Sequence, residues 1–441
     1  MTSLSANAPQ RRLYFSSEVR GDIRLQLGMA HYSYGIVAQR FAQMLERDGI
    51  AVVAVPMPEK LKRRSDFSAE RDDRRPVHIA FRSPENLRPL PAAYNVCHFA
   101  WEFDTLKDTE LTTKPITSNQ RHMLSLMDEI WVPARFTREV LARHGLPRVH
   151  VVPTPVCGTC LPERLSHPDI LQSIGLVATS PLLMSSTIGD RQNAQLDRSA
   201  MSALMDHLPS GDAARQAKIF LTVCNPGDLR KNLLSVIEGF LMATRKHQRD
   251  LLIVKLAVPA GRIGADDECL HRHLGPRYHG PVAVNHPRVL FISDYLADAE
   301  MSALYSLADF YICGSHCEGH NLPLLEAMAH GAVAVSTRNT AMADYIDEND
   351  AVVIAERRID GLLPGMAGEH SGMTPTLSVA DRFDIARAVV TAAAMTPAAH
   401  AAMAQRGRDV AFSQYGVAAV AQLVHDRLGE IDTRQEHRSD V

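Results

Sequence analysis

The sequence predicts an α/β fold made of two facing, Rossmann-like doubly wound domains with an interdomain cleft. The chain has 441 residues, more than one hydrophobic core usually organises. In both halves, short apolar runs alternate with segments of helical periodicity. The runs are continuously apolar, which is typical of parallel strands covered on both faces. Because ligands bind at the carboxyl ends of such strands, two facing domains would share a binding cleft.

The first array of elements occupies residues 1–157 and predicts the N-terminal domain. A glycine-bearing loop, residues 27–35, follows the first apolar run, and the next segment repeats apolar residues at helical spacing up to Gly49, a helix stop. The helical face is formed by Val37, Phe41, Met44 and Leu45. The predicted strands are RRLYFS (11–16), IAVVAV (50–55), VHIAF (77–81), YNVCHFAW (94–101), EIWVP (129–133) and VHVVP (149–153).

The second array occupies residues 217–428 and predicts the C-terminal domain. Residues 158–216 carry few signals and are interpreted as a linker with an insertion, whereas residues 429–441 are a polar tail expected to fray. One helix presents Leu233, Val236, Ile237, Phe240 and Leu241 on a single face. The predicted strands are KIFLTVC (218–224), LLIVKLAV (251–258), VLFIS (289–293), DFYIC (309–313), AVAVS (332–336) and AVVIA (351–355).

Composition and charge argue against several classes of protein. The formal net charge of −3 gives no general attraction to nucleic acid. No apolar run approaches the roughly 18 residues needed to span a bilayer, and the first residues, MTSLSANAPQRR, lack a hydrophobic signal core. Seven cysteines, an odd number, favour thiols in a reducing compartment over a disulfide framework. These features predict a cytoplasmic protein.

The stretch CEGHNLPLLEAMAHG, residues 317–331, predicts a loop followed by a helix. Asn321 suits the N-cap and Pro323 suits the first turn. Gly331 is a natural end for the helix. The start of a helix carries unpaired N–H groups and the positive end of the helix dipole, so this stretch predicts an anion site.

Two glutamates flank that predicted helix start. Glu318 would lie in the loop after the strand DFYIC, and Glu326 about one turn inside the helix. A phosphate at the helix start would then sit between two carboxylates, each able to accept hydrogen bonds from sugar hydroxyl groups. The spacing therefore predicts a nucleotide-sugar site. The alternative interpretation is a capped helix with two surface acids.

A second element supports the nucleotide-sugar interpretation. The segment NPGDLRKNLLSVIEGF, residues 225–240, places Arg230 and Lys231 at the start of a helix that follows a strand. Cations at this end of a helix run against the usual preference for acids. A bound diphosphate explains them, and a solvated basic turn is the alternative.

With both elements in place, the chain resembles the retaining GT-B-fold glycosyltransferases of family four, a group that acts in bacterial polysaccharide assembly. The segment FISDYLADAEMSALYSLADFYICGSHCEGHNLPLLEAMAHGAVAVST is similar to that family's hallmark region. In the N-terminal half, MDEIWVPARFTREVLARHGLPRVHVVPTPV (127–156) is similar to its last β-α-β stretch, and HFAWEFDTL (98–106) to a Trp-Glu element. The resemblance covers most of the chain outside residues 158–216.

The resemblance implies roles for residues of the C-terminal domain. It implicates Glu318 near the reacting carbon of the donor sugar, Glu326 on the ribose, and Arg230 with Lys231 on the diphosphate. The backbone of the intervening loop would hold the sugar or phosphate through Gly319, His320, Asn321 and Leu322. This chain has Gly-His-Asn where the family often has Gly-Phe-Gly, a departure that bears on which sugar fits. The segment CNPGD (224–228) also lacks an arginine that many members carry.

On the acceptor side, the resemblance points to the N-terminal domain. The loop around Gly35 would approach the phosphates and the acceptor. His98 and Glu102 are the best candidates for acceptor contacts. For His98 the alternative is a satisfied core histidine at the end of a strand. The segment 59–75 is rich in basic residues and could contact anionic lipid head groups, with a solvated charged loop as the alternative.

The reaction implied by the resemblance transfers a sugar from a nucleoside diphosphate to the hydroxyl of a saccharide or lipid-linked acceptor, with retention at the anomeric carbon. It requires no cofactor besides the donor and no metal, and no Asp-x-Asp motif stands out in a suitable loop. The expected setting is the synthesis of cell-surface polysaccharide or glycolipid. Two alternatives stay open: other chemistry on the same fold, such as a phosphorylase or a sugar-nucleotide epimerase, and a non-catalytic binding protein.

Overall fold

The computed structural model divides the chain into two compact units. Unit 1 comprises Met1–Ile23, Ala30–Pro155 and Tyr415–Val441, and unit 2 comprises Arg24–Met29 and Val156–Gln414. No helix among the described residues is both long enough and apolar enough to cross a membrane. The structure describes residues 11–19, 21–28, 32–68, 74–107, 115–156, 182–184, 218–244, 250–258, 289–292, 295–366 and 372–439.

Unit 1 is built on a six-stranded sheet in the order β2-β1-β3-β4-β5-β6, and all neighbouring strands are parallel. β3 and β4 are buried along their whole length, as their continuous apolar sequences predicted. The strands are β1 (Arg12–Ser17), β2 (Ala51–Ala54), β3 (Val77–Phe81), β4 (Tyr94–His98), β5 (Glu129–Val132) and β6 (Val149–Val151). The helices between them are α1 (Tyr32–Arg47), α2 (Gln120–Ser125) and α3 (Arg135–Arg143).

Unit 2 is built on a seven-stranded sheet in the order β13-β12-β11-β8-β9-β10-β7, parallel except for β7 at one edge. The strands are β7 (Leu182–Met184), β8 (Ile219–Cys224), β9 (Leu251–Leu256), β10 (Val289–Ile292), β11 (Phe310–Cys313), β12 (Val333–Ser336) and β13 (Ala351–Val353). The helices are α4 (Leu233–Ala243), α5 (Asp298–Leu307), α6 (Leu322–Ala329), α7 (Arg382–Ala393) and α8 (Pro397–Tyr415). The predicted two-array α/β architecture is thus confirmed.

The prediction missed three strands. β7 lies within the segment interpreted as a linker and insertion, and the rest of residues 158–216 lies outside the described residues. β14 (Arg357–Asp360) and β15 (Thr376–Val379) form an antiparallel pair. Because β14 exposes most of its side chains, it has no continuous apolar run that would reveal it.

The C-terminal residues differ from the prediction. Residues 429–441 were expected to fray, but α9 (Val417–Ser439) continues through most of them, and it belongs to unit 1 rather than to a domain ending at residue 428. One face of α9 joins the core of unit 1 through Val420, Val424, Leu428 and Ile431, at nearly helical spacing. Polar residues of α9 also contact the rest of unit 1, since Asp432 pairs with Arg11 at 2.7 Å.

A buried carboxylate fastens α9 to the sheet. Glu129, the first residue of β5, is fully buried. Its Oε1 accepts hydrogen bonds from Arg427 Nη2 at 2.7 Å, Arg434 Nη1 at 2.9 Å and the Tyr94 hydroxyl at 3.0 Å. Its Oε2 accepts from Trp131 Nε1 at 3.2 Å. Four side chains therefore satisfy the hydrogen-bonding capacity of this buried carboxylate.

Two histidines are buried in unit 1 in their neutral form. The His78 ring lies between Ser16 Oγ at 2.9 Å and Asn95 Oδ1 at 2.8 Å. His98 ends β4, with its Nε2 3.0 Å from the carbonyl oxygen of Val152. Burial lowers the pKa of each of these histidines to about 4.

We expect unit 1 to lose stability on acidification. Because a histidine of the unfolded chain binds its proton near pH 6.5, the unfolded state takes up protons that the native state refuses between that pH and about 4. The two histidines together should remove about 4 kcal/mol between about pH 7.5 and about pH 5. Both tryptophans of the chain, Trp101 and Trp131, lie in unit 1, so urea unfolding followed by their fluorescence measures this change.

The matched variant for this prediction is His78→Gln. Glutamine can hydrogen bond to both Ser16 and Asn95 but does not titrate. It should show about half of the wild-type loss. If His78→Gln loses as much stability on acidification as the parent protein, His78 does not contribute to the pH dependence as predicted.

Candidate active site

The predicted donor residues meet at the centre of the sheet of unit 2. β8 and β11 are neighbours, and the strand order runs outward from them in opposite directions. Such a reversal opens a crevice at the carboxyl ends of the two strands, where doubly wound folds bind ligands. Lys231 lies in the short turn Leu229–Lys231 that follows β8, and Glu318 lies in the loop that follows β11. The topology therefore brings the two predicted elements to one place.

Lys231 and Glu318 form an ion pair. Lys231 Nζ donates to both carboxylate oxygens of Glu318, at 2.7 Å to Oε1 and 2.9 Å to Oε2. The Glu318 side chain is 5% exposed and that of Lys231 is 20% exposed. Burial by itself would lower the pKa of Lys231, but the carboxylates of Glu318 and Asp228 outweigh it, and the pKa is raised. The amine therefore stays charged at neutral pH and can stabilise negative charge on a ligand.

The pair lines a small recess, with a cavity volume of about 10 Å³, at the ends of β8 and β11. Tyr311 also lines it, and its hydroxyl lies within 3.2–3.3 Å of the backbone N and O of Val223. Cys224 and Cys313 also line the recess. Burial raises the pKa of Cys224 to about 12 and also raises that of Cys313, so both thiols are protonated at neutral pH. Neither thiol is suited to act as a nucleophile.

The loop that carries Glu318 is held by hydrogen bonds from other elements. The Glu318 backbone N–H donates to Thr340 Oγ1 at 2.8 Å, and the Thr340 hydroxyl donates back to the Glu318 carbonyl at 2.9 Å. The His316 N–H donates to the Arg230 carbonyl at 2.8 Å, which ties this loop to the basic turn. Thr340 has a φ of 45°, a left-handed conformation that a threonine rarely adopts. A rigid support of this kind limits the positions open to the carboxylate.

Asn321 begins α6 in a different way from the prediction. It is the N-cap residue, with a left-handed φ of 63°, but its side chain makes no capping hydrogen bond. Its amide nitrogen instead lies 3.1 Å from Cys313 Sγ and 3.3 Å from Met342 Sδ. The side chain is therefore turned into the protein. Leu322 is the first residue of α6. Pro323 has no N–H and the Leu324 N–H donates to the Asn321 carbonyl at 3.2 Å, so in this first turn the Leu322 N–H can receive an anion.

Glu326 is placed by a residue that the sequence analysis did not single out. It lies in α6, is 8% exposed, and its Oε2 accepts a hydrogen bond from the Tyr305 hydroxyl at 2.9 Å. Tyr305 belongs to α5, and its ring packs against that of His330 with centroids 5.6 Å apart. Tyr305 therefore positions the carboxylate. The position of Tyr305 within an apolar helix gave no sign of its contact with Glu326, because that contact joins residues that are distant in sequence.

The other residues of the predicted donor loop are also buried. The carbonyl of His320 accepts a hydrogen bond from the Tyr345 hydroxyl at 2.9 Å, and the His320 residue is 8% exposed. Gly319 lies between His320 and Glu318 in the same loop. The structure thus gathers Glu318, Gly319, His320, Asn321, Leu322 and Glu326 around the start of α6.

Arg230 contacts Asp228, whereas the prediction placed it on a diphosphate. Asp228 holds its guanidinium by two hydrogen bonds, 3.0 Å from Nε to Oδ1 and 2.6 Å from Nη2 to Oδ2. Asp228 also caps the turn by accepting from the Arg230 N–H at 3.1 Å. The expected contact of Arg230 with a diphosphate would require this side chain to leave Asp228, so in this structure Lys231 is the cation next to Glu318.

The glycine loop of residues 27–35 also differs from the prediction. Gly35 lies in the first turn of α1, not in a loop, and a Cβ there would be 2.6 Å from Val19 Cγ2. Gly35 therefore allows α1 to pack closely against Val19. Gly28 instead lies beside the strand ends of unit 2: its carbonyl accepts from Asn225 Nδ2 at 2.8 Å, and a Cβ would be 2.5 Å from the Ala257 carbonyl oxygen.

The two acceptor-side candidates lie in unit 1 and have different surroundings. His98 is 1% exposed, and its ring packs between Phe41 and Phe81, with centroids 5.1 and 5.6 Å away. These are the contacts of a core histidine, so its placement does not support the acceptor role. Glu102 is half-buried. Together with burial, which is the larger cause, its charge raises the pKa of Tyr34.

Comparisons with known proteins agree with this architecture. Residues 262–366 match the sequence model of the family described as Glycosyl transferases group 1. No curated protein sequence matches the chain. The sucrose-phosphate synthase (tll1590) of Thermosynechococcus elongatus is similar in structure, with a TM-score of 0.57 and 14% identity, over 96% of this chain and 100% of that one. The alpha,alpha-trehalose 6-phosphate synthase of Burkholderia multivorans is similar with a TM-score of 0.54 and 11% identity, over 97% and 100%.

The similarity to a third solved structure covers a smaller part of that protein. A point mutant of S. aureus TarM, in complex with Fondaparinux, alpha-GlcNAc-glycerol and UDP, has a TM-score of 0.44 and 10% identity. The similarity covers 79% of this chain and 54% of TarM, so the chain spans about half the length of that protein.

The chain therefore has the GT-B fold, and it contains a segment similar to the family described as Glycosyl transferases group 1. The matched segment, residues 262–366, contains β11 and α6. It therefore includes both Glu318 and Glu326.

Proposed function

We propose that the protein is a retaining glycosyltransferase of family four that moves a sugar from a nucleoside diphosphate to an acceptor hydroxyl. The observation that supports this most directly is the contact of Lys231 with Glu318 at 2.7 Å beside the start of α6. A diphosphate leaving group needs cationic and N–H donors already in place, because the charge develops as the sugar bond breaks. Lys231 supplies the cation, and the Leu322 N–H at the start of α6 supplies an N–H donor.

In this proposal the two glutamates divide the donor between them. Glu318 faces the donor sugar near its reacting carbon, where Thr340 keeps its backbone in place. Glu326 binds the ribose hydroxyls and is oriented for this by Tyr305. No carboxylate then has to form a covalent sugar intermediate, and the departing phosphate takes the proton of the acceptor on the same face of the sugar.

The acceptor and the pathway follow from the resemblance rather than from the site. We propose a saccharide or lipid-linked acceptor bound by the N-terminal domain, residues 1–157, and a donor bound by residues 217–428. The product would enter cell-surface polysaccharide or glycolipid. Among the described residues of unit 1, Glu102 is the candidate for acceptor contact that remains accessible.

The proposal is tested by incubating the purified protein with a panel of UDP- and GDP-sugars. A matching donor should raise the melting temperature, since a ligand at 100 times its Kd stabilises the native state by about 2.7 kcal/mol. Slow hydrolysis should release the nucleotide, and with an acceptor present the product should keep the anomeric configuration of the donor by NMR. Tight binding with no nucleotide release would favour a non-catalytic protein, and inversion would exclude the retaining mechanism.

A further inference from the structure

A second recess lies in unit 1, at the edge of the sheet where the strands begin. Arg75 precedes β3, Tyr94 is the first residue of β4, and Arg148 immediately precedes β6. The recess encloses about 540 Å³, including open solvent. Doubly wound sheets bind their main ligands at the opposite, carboxyl edge. The lining residues are Arg75, Tyr94, Arg148, Arg434, Gln435 and His437.

This recess is lined mostly by basic residues, although the surface that they present to it is largely apolar. It contains three arginines and a histidine, and none of its residues is acidic. Two of the arginines are already held by carboxylates behind them: Arg75 lies 3.3 Å from Asp128, and Arg434 lies 2.9 Å from Glu129. Arg148 is exposed and, among the residues that the structure describes, has no ion-pair partner. Positive charge therefore exceeds negative charge at the wall itself.

The framework of the recess is fixed before any ligand arrives. The guanidinium of Arg75 lies over the ring of Tyr94, 5.1 Å from its centroid. The side chain of Gln435 accepts from the Arg75 N–H at 2.7 Å and donates to the Arg75 carbonyl at 3.2 Å. Gln435 is 7% exposed. A recess whose walls are preorganised in this way loses little entropy when it binds a ligand.

The backbone of Arg148 adds a second observation. Its φ is 55°, in the left-handed region where glycine and asparagine are favoured and arginine is uncommon. Its carbonyl accepts the Ile130 N–H at 3.0 Å, which holds this conformation. Strain of this kind is retained where the side chain has a use. An arginine at a position that suits glycine is explained if its guanidinium is needed in the recess.

We propose that this recess binds a phosphate-bearing small molecule, with Arg148 as the principal ligand and Arg75 and Arg434 beside it. Planar guanidinium groups donate two hydrogen bonds to one phosphate, and its negative charge offsets the positive charge of Arg148. The site is distinct from the one formed by Lys231 and Glu318 and does not depend on the proposed reaction.

Isothermal titration calorimetry with inorganic phosphate tests this site. The titration is made on the full chain carrying Lys231→Ala, which removes the cation of the other site. Loss of Arg148 in Arg148→Asn should weaken phosphate binding about tenfold or more, the effect of a hydrogen bond between charged groups. The matched control is Arg138→Ala, which removes an exposed arginine of α3 in the same unit and should change nothing.

The same variant separates binding from folding. Because asparagine tolerates a left-handed backbone, Arg148→Asn should unfold in urea at the same or a higher concentration than its parent.

Vesicles of phosphatidylglycerol form the second arm of the binding test, since a lipid head group carries the same phosphate. Binding of either probe that depends on Arg148 supports the site and identifies the source. If neither probe binds, or if Arg148→Asn binds both as well as the parent does, the proposal is overturned.

Discussion

Replacing Lys231 by alanine is expected to reduce sugar transfer by about a hundred- to a thousand-fold, the usual cost of removing one preorganised donor from an active site. The lysine is charged, largely buried and bonded to both oxygens of Glu318. The measurement is kcat with the donor found in the screen of nucleotide-sugars, with melting by circular dichroism to show that the variant is folded.

The control for this prediction is Arg387→Ala, which removes an exposed cation from α7 of the same unit and should leave kcat unchanged. The double variant Lys231→Ala/Glu318→Gln gives a sharper test. Because the two side chains are in direct contact, their effects should be far from additive, and the double variant should be little worse than the more damaging single one. A kcat close to that of the parent in Lys231→Ala would remove the basis of the proposed mechanism.

The second large effect is expected on stability, at Glu129. The variant Glu129→Gln should lower the free energy of unfolding of unit 1 by about 3–5 kcal/mol, because it leaves buried arginine charge without its carboxylate. The Arg427 side chain is only 10% exposed, and it contacts Glu129 at 2.7 Å. Urea unfolding followed by tryptophan fluorescence measures the loss, and hydrogen exchange should show α9 opening first.

Glu430→Gln is the matched control for that variant. Glu430 pairs with the same Arg427 at 2.6 Å and with Arg434 at 3.5 Å, but its side chain is 55% exposed. Exposed ion pairs contribute about 0–1 kcal/mol, so the control should remain close to the parent protein. Equal losses in the two variants would show that burial of Glu129 does not govern the attachment of α9.

Apart from β7, the strands of both sheets could be predicted from the sequence, most of them because they are buried on both faces. A segment such as VHIAF (77–81) has to be apolar along its whole length, and β3 occupies those five residues. β14 and β15 escaped prediction for the converse reason, since they pair at the surface and bury only part of their side chains. The polar end of α9 escaped for a related reason: only one of its faces is buried, and its polar groups find partners far away in the sequence.

The sequence by itself determined where the local elements that carry the proposed site residues begin. Local rules placed Asn321 and Pro323 at the start of a helix and Lys231 after a strand, and these depend on residues within a few positions of each other. The tertiary structure decided which of these groups meet. Lys231 and Glu318 are 87 positions apart and touch because β8 pairs with β11. Strand order is set by burial and pairing over the whole sheet, which no local pattern records. For the same reason, only the tertiary structure could show that His98 is buried and that Tyr305 contacts Glu326.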